Sequence, residues 1–354
     1  MDSSAGVLDL FAGVGGLSWG FHDLYLDGVR LKVDLAVEQI PIHMGTYSVN
    51  YPKTQTLCAD IFTVDGDWLK SRLFRKPTIV IGGPPCQSFS VQGRRDIHDP
   101  RAQLIFEFQR IVEEMDAPYF LMENVTGLVQ GKMMIVFDAL RECFDKAGYE
   151  TKWQILKASD YGVPQRRKRL FLIGAKYGLP LPNFPVPLED CPTVADAIAD
   201  LPVVDKYECL FKQDYLPYLC METACSAYAA KLRSRKLNFI TGMRRTQHEP
   251  RIVEAYRATE WGKREPGTHC PRLHPDRIAT TLLAGSLANN QTALRPIHPY
   301  YPRVITVREG ARLQSFPDGF RLASEMLPAW TQVGNAVPPL LSRAIAIEFA
   351  KVLT

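Results

Sequence analysis

Between residues 6 and 174 the chain alternates short apolar runs with stretches in which apolar residues recur every three or four positions. The apolar runs are GVLDLF (6–11), KVDLAVE (32–38), TQTLC (54–58), PTIVIG (77–82), YFLME (119–123), TKWQIL (151–156) and RLFLIG (169–174). Each has the length and branching of a strand. Between them Leu104, Phe108, Ile111 and Met115 fall on one face at helical spacing. Strands that alternate with helices predict an α/β fold, Rossmann-like, with a mainly parallel sheet covered on both faces. Ligands of such sheets bind at the carboxyl ends of the strands, near the point where the strand order reverses.

The pattern breaks after Gly174. KYGLPLPNFPVPLEDCP (176–192) reads as a proline-rich linker over the surface. Residues 185–324 have weaker periodicity and more turns, which predicts a smaller, irregular second domain. NAVPPLLSRAIAIEFAKVL returns to a helix, with Leu341, Ile345, Phe349 and Val352 on its apolar face and Pro338 and Pro339 where a helix start tolerates them. The expected organisation is a first domain of residues 1–184, completed by 325–354, and a second domain of 185–324.

Composition changes this picture little. Of the 354 residues, 46% are hydrophobic and 23% charged, which is ordinary for a globular protein. No apolar run approaches the ~18 residues of a membrane span. A strand that begins at Gly6 leaves no room for a cleavable signal, so a cytosolic protein is expected, with its eight cysteines as free thiols. Cys209, Cys220, Cys225, His269 and Cys270 lack the paired spacing of a zinc site, and no metal is expected. Charge is informative in one segment. Residues 228–277 hold twelve Lys and Arg against five Asp and Glu, whereas the whole chain carries only +4. A positive segment on a neutral body suits a polyanion or a solvated surface.

The candidate chemistry gathers at strand ends. DLFAGVGG (9–16) leaves the first strand and opens a helix. Gly13, Gly15 and Gly16 lack dinucleotide spacing, because Ser18 stands where a third glycine would. This compact loop suits a nucleoside ligand without a pyrophosphate. Glu38 ends the second strand, where a carboxylate grips ribose hydroxyls. Asp60, just past the third, can accept from an adenine amine, with Ile61 against the ring. Cys86 follows the fourth strand in GGPPCQSFS, and is either a nucleophile or a small residue in a turn. Glu123, in MENVTGL, ends an apolar strand, so it must be paired or protonated. Protonated, it is a proton donor. In QRRKR (165–169), Arg167 and Arg169 alternate to one side. Either can neutralise Glu123, or grip a phosphate or a carbonyl oxygen.

DLFAGVGG, GGPPCQSFS, MENV, QRRKRLFLIG, TVREGARLQSFPDGF and QVGNAVPP occur in this order. Together they resemble the motif set of the DNA (cytosine-5) methyltransferases of the bacterial restriction-modification type, over the whole chain except roughly 185–290. The resemblance implies S-adenosylmethionine as cofactor, in a pocket of Phe11, Gly13, Gly15, Gly16, Glu38, Asp60, Ile61, Pro84, Leu104, Asn335 and Val337. It implies Cys86 as the nucleophile on carbon 6 of cytosine, Glu123 as the acid at ring nitrogen 3 and Arg169 at the base's carbonyl oxygen. Arg167 is assigned to phosphate or loop contacts. It further implies a flipped-out base in double-stranded DNA, closure of the 87–102 loop, and target recognition within 185–302, where LLAGSLANNQT has turn residues suited to the major groove. A monomer is expected, with a cognate restriction endonuclease as a possible partner. Arg308 and Arg312, one turn apart, are expected to brace the second domain. Two alternatives stay open. RNA methyltransferases on this scaffold would be expected to carry a Cys-Phe-Thr signature, absent here. A catalytically dead DNA-binding homologue would not be expected to keep Cys86, Glu123, Arg169 and the glycine loop together.

Overall fold

A computed structural model describes residues 3–85, 103–233, 237–285 and 294–354. The chain forms two compact units. One comprises residues 1–157, 168–187 and 341–354, and the other 158–167 and 188–340.

The first unit is built on an eight-stranded sheet. Its strands are β1 (Ser3–Leu10), β2 (Leu24–Leu26), β3 (Val29–Glu38), β4 (Gln55–Cys58), β5 (Ile79–Gly82), β6 (Tyr119–Asn124), β7 (Tyr149–Lys157) and β8 (Lys168–Lys176). They lie in the order β2-β3-β1-β5-β6-β8-β7, with β4 also pairing with β3. Neighbours from β4 through β3, β1 and β5 to β6 are parallel. β8 is antiparallel to β6, and β7 to β8. All seven expected runs are strands. β2 is an additional three-residue strand, antiparallel to the start of β3.

The strand order reverses at β1. From β1 the chain builds outward through β3 and β4, then crosses back to place β5 on the other side of β1. This topological switch leaves a crevice outside the carboxyl ends of β1 and β5. β5 and β6 are buried at every position, as central strands covered on both faces must be.

Alternate residues supply the two faces. Leu8, Leu10, Val37, Val80, Phe120 and Leu172 join Phe108 and Ile111 of α4 (Gln103–Glu114) and Phe137 and Phe144 of α5 (Met133–Lys146) in one core. The buried face of α4 runs through Ile105, Phe108, Ile111 and Met115, while Leu104 is only partly buried. On the other face, Phe349 of α11 (Pro339–Lys351) sits edge-on to Phe21 at 5.7 Å and Tyr119 at 6.3 Å. The same face carries α1 (Ser18–Phe21) and α2 (Pro41–Asn50), with α3 (Gly66–Lys70) on the side of α4.

The second unit has little sheet. β9 (Tyr215–Pro217) and β10 (Phe239–Thr241) form a two-stranded antiparallel ribbon. Around it lie α6 (Val194–Ile198), α7 (Ala227–Leu232), α8 (Pro250–Ala258), α9 (Val307–Leu313) and α10 (Met326–Asn335). α9 starts with a capping box: Thr306 accepts from the Glu309 amide, and Glu309 accepts from the Thr306 amide. Its Arg308 and Arg312 are fully buried. Arg312 binds Asp318 at 2.5 Å and Asp200 at 3.2 Å. Arg308 donates to the carbonyls of Thr241, Pro317 and Phe320. The expected bracing role of this pair is met by buried hydrogen bonds.

The unit limits differ from the expected 184/185 and 324/325 boundaries. Residues 158–167 belong to the second unit because Gln165 and Arg167 tie them to it. α10 stays there too, and only from Leu341 does the chain belong to the first unit.

Phe120 stacks on Phe144 at 4.0 Å and meets Tyr149 at 5.5 Å. Phe120→Ala is expected to cost about 3–5 kcal/mol in urea denaturation, because the ring's transfer energy is lost and a cavity remains.

Candidate active site

The glycine loop leaves the central strand at the switch point. Phe11 and Gly13 both have φ of +56° and Gly15 has +89°. Phe11 therefore holds a conformation that side-chain-bearing residues rarely adopt. At Gly13 a Cβ would meet nothing within 4 Å, so the loop faces open space there. At Gly15 a Cβ would stand 2.3 Å from the Tyr51 ring. The first of these glycines thus opens the loop outward, and the other lets it lie on the protein.

Glu38, 9% exposed, ends β3 beside this turn. One carboxylate oxygen accepts from the Gly13 amide at 2.9 Å and the other from the Ile40 amide at 2.8 Å. Carboxylate oxygens have lone pairs beyond these two bonds. Asp60 caps the turn after β4, accepting from the Phe62 amide at 3.1 Å and from Gln39 at 3.2 Å. Ile61 beside it is buried. An open glycine turn, a carboxylate at a strand end and an apolar residue beside a second carboxylate suit an adenosine group, whose ribose donates hydroxyls and whose ring is flat and apolar. Leu104 is half-buried on the first turn of α4. Gly16 is buried within the turn.

The second cluster lies at the ends of β5 and β6. Glu123 is 9% exposed, and Arg169 Nε stands 2.9 Å from its Oε1. The sheet makes this meeting possible. Because β8 runs antiparallel to β6, the start of β8 lies beside the end of β6, with Glu123 paired to Phe171. Arg169 also donates to the Lys168 carbonyl at 2.8 Å. A Cβ on Gly83 would stand 3.1 Å from Glu123 Oε2, so a side chain there would press on the carboxylate. Pro84 is buried, and its carbonyl accepts from Asn124 Nδ2 at 3.1 Å. Asn124 was missed by sequence reasoning. Its signal was available, as a second polar residue at the end of an apolar strand. Cys86 and the 87–102 loop lie outside the described residues.

Arg167, Asn335 and Val337 belong to the second unit. Arg167 is 1% exposed and donates to the carbonyls of Gly334 at 2.8 Å and Asn335 at 3.0 Å. These are the last carbonyls of α10, where a cation is favoured. β8 begins only at Lys168, so the alternation that aligned Arg167 with Arg169 does not extend to it. Arg167, expected at phosphate or loop contacts, is buried and holds a helix end. Asn335 is exposed and Val337 buried.

Most of the basic excess of 228–277 is also internally engaged. Arg233 binds Asp200 at 2.5 Å and Arg245 binds Asp205 at 3.1 Å. Arg272 donates to the carbonyls of Tyr256, Arg257, Thr259 and Pro299. Arg244 and Arg264 each donate to a carbonyl, and Arg251 and Arg257 pair with glutamates on the exposed face of α8. Lys231, Lys263 and Arg277 are exposed, with no partner among the described residues. Arg235 and Lys236 lie outside them, as does most of LLAGSLANNQT. Among the described residues no group of His, Cys, Asp or Glu is arranged to hold a metal, and no helix is long and apolar enough to cross a membrane.

A mostly parallel sheet with a glycine loop at its switch point, and a carboxylate–arginine pair at the neighbouring strand ends, is the architecture of a methyltransferase. The fold agrees over 99% of both chains, at a TM-score of 0.83 and 30% identity, with the crystal structure of a DNA modification methyltransferase encoded within an E. coli prophage. The chain belongs to the C-5 cytosine-specific DNA methylase family, whose model it matches over residues 5–351. It is a DNA (cytosine-5) methyltransferase. It is 40% identical to the type II methyltransferase M.XorII of Xanthomonas oryzae pv. oryzae, over 98% of this chain and 84% of that one. The S. pombe Dnmt2 methyltransferase shares the fold, with a TM-score of 0.60 at 15% identity over 99% of this chain and 100% of that one.

The engaged and free cations separate experimentally. Arg233→Ala and Arg272→Ala are expected to destabilise the protein by about 2 kcal/mol or more, since each strands buried acceptors. Lys231→Ala, Lys263→Ala and Arg277→Ala are expected to stay within about 0.5 kcal/mol of wild type in urea denaturation. Each free cation that contacts a phosphate is expected to lower the slope of log affinity for DNA against log salt by about 1.

Proposed function

We propose that the protein transfers a methyl group from S-adenosylmethionine to carbon 5 of a cytosine flipped out of a short specific site in double-stranded DNA, through a covalent bond between Cys86 and the base. The observation that carries this reading is the Glu123–Arg169 ion pair at 2.9 Å, with Gly83 against the carboxylate three residues before Cys86.

The cofactor would rest on the glycine loop, with Glu38 at the ribose, Asp60 and Ile61 at the adenine, and Phe11, Pro84 and Leu104 beside them; Asn335 and Val337, assigned by the family resemblance, belong to the second unit. When bound, it supplies an electrophilic methyl group. Carbon 5 of cytosine is a poor nucleophile until carbon 6 is attacked. The Cys86 thiolate forms a bond to carbon 6, and the ring electrons are received at nitrogen 3, to which Glu123, protonated once the base is seated, delivers its proton. Arg169 engages the adjacent carbonyl oxygen and keeps Glu123 in place. After transfer, loss of the carbon 5 proton and departure of the Cys86 sulfur restore the aromatic ring. This is covalent catalysis assisted by a general acid. The base must leave the duplex first, at a cost of a few kcal/mol.

A DNA substrate is supported over RNA by 40% identity to a type II methyltransferase, against 15% to Dnmt2. The same relatives support a restriction-modification role in a bacterial cytoplasm, with a cognate endonuclease as a candidate partner. Residues 185–302 would read the target, and the protein would act as a monomer on DNA.

DNA with 5-fluorocytosine at the target is expected to form a denaturant-stable adduct in the presence of cofactor, because fluorine cannot leave as a proton. Cys86→Ser is expected to abolish both the adduct and turnover while it still binds DNA. Normal turnover by that variant would remove the nucleophile. Glu123→Gln, which keeps the shape of the side chain but loses its acid, is expected to lower kcat by about 10²–10⁴-fold.

A further inference from the structure

Ser18 occupies the position where a dinucleotide loop has its third glycine, and its hydroxyl is not idle. It lies 2.5 Å from Asp9 Oδ2, on the central strand, and 2.6 Å from the Tyr47 hydroxyl. The Tyr47 ring lies 4.6 Å from that of Tyr51. Both rings lie against the bare Cα of Gly15, and the Tyr51 hydroxyl donates to the Gly15 carbonyl at 2.6 Å. A chain of contacts therefore runs from Asp9 through Ser18 and the two tyrosines to the glycine turn. Asp9 is 1% exposed, and its Oδ1 has no hydrogen-bond partner among the described residues. An acid that is buried and half-satisfied costs stability, so its place here calls for a reason.

We propose that Asp9 is a positioning residue for the nucleoside cofactor, seating the Gly13–Gly16 turn through Ser18, Tyr47 and Tyr51. This rests on the reading of that turn as the S-adenosylmethionine site. The cluster is also sensitive to proton loss. Burial, opposed by the Ser18 hydrogen bond and helped by Glu38, pushes the Asp9 carboxyl up to about 8. Among the described residues the titratable groups that face it are Tyr47 of α2, Tyr51 just past its end and Glu38 of β3, and no cation is among its influences. A protonated Asp9 can donate as well as accept, whereas an ionised one only accepts. Ser18 already donates to Asp9 Oδ2, so ionisation acts by placing an uncompensated charge beneath the loop. Because the folded value lies above the unfolded 3.8, this group's contribution to stability is complete below about 3.8 and is lost as pH rises through about 8.

The test is binding of S-adenosylhomocysteine by calorimetry between pH 6.5 and 9, with thermal unfolding at each pH. Wild type is expected to lose about threefold to tenfold in affinity across the upper half of this range. Asp9→Asn, a neutral isostere of the protonated acid, is expected to bind with a flat profile and to gain melting temperature over wild type as pH rises. Tyr51→Phe, which removes only the hydroxyl on Gly15, is expected to bind several-fold more weakly at every pH while remaining folded. Superimposable affinity profiles for wild type and Asp9→Asn, or unchanged binding by Tyr51→Phe, would overturn the positioning role. Failure of wild type to bind at any pH would instead remove the cofactor reading beneath it.

Discussion

A carboxylate that is nine-tenths buried at the end of an apolar strand has to be answered by a cation, and the first unit is arranged around that requirement. Glu123 cannot take its partner from β5, which ends in glycine, nor from its own strand. Its cation comes from β8, and only an antiparallel β8 can bring its first residues to the last residues of β6. In a wholly parallel sheet the arginine would lie at the opposite edge, and the carboxylate would be desolvated without compensation. Gly83 and Asn124 follow from the same constraint. The loop after β5 passes close to the carboxylate at a residue without a side chain, and the Asn124 amide holds its next carbonyl.

The neighbouring strand end is governed by a different demand. The turn after β1 meets open space on one side and rests on protein on the other. Gly13 lies on the first side and Gly15 on the second. Glu38 joins them by accepting from the Gly13 amide, which fixes the turn against β3 without using all of the carboxylate's lone pairs. Both clusters therefore stand at the carboxyl ends of adjacent parallel strands, where the strand dipoles, the loop backbone and the crevice of the switch point coincide.

How much of this was legible in the sequence depended on how local the cause was. The central strands could be read because burial on both faces makes them continuous apolar runs, as in PTIVIG and YFLME. β2 could not, since three residues that pair with a neighbour only a short turn away carry no periodicity. The face of α4 was read nearly right, but the register that buries Ile105 instead of Leu104 is set by the sheet beneath it. Glu123 was legible as a carboxylate in need of a cation because it violates its surroundings, but the choice between Arg167 and Arg169 was open until the strand pairing fixed it. The place of Arg167 was not legible, because its partners are the carbonyls of a helix end 167 and 168 residues away. Asp9 escaped notice, and Ser18 was noticed only as a missing glycine, for a related reason: only the contact between strand and helix gives the two their meaning.

The basic segment shows the same limit from the side of charge. Its excess suggested a surface for phosphates, yet Arg233, Arg245 and Arg272 are spent inside the second unit, as are Arg303, Arg308 and Arg312 beyond it. The reason lies in the unit's poverty of regular structure. A two-stranded ribbon and short helices leave many backbone carbonyls without a ladder to join, and each buried carbonyl needs a donor. Arginine supplies five donors on one planar group, and can satisfy several carbonyls that no single backbone amide would reach. Arg272 alone serves four residues' carbonyls. In an irregular unit of this kind, arginine content measures how much loop must be held together as well as how much nucleic acid must be bound. The cations left for phosphates are those whose guanidinium or ammonium groups face solvent with nothing of the protein's own to hold.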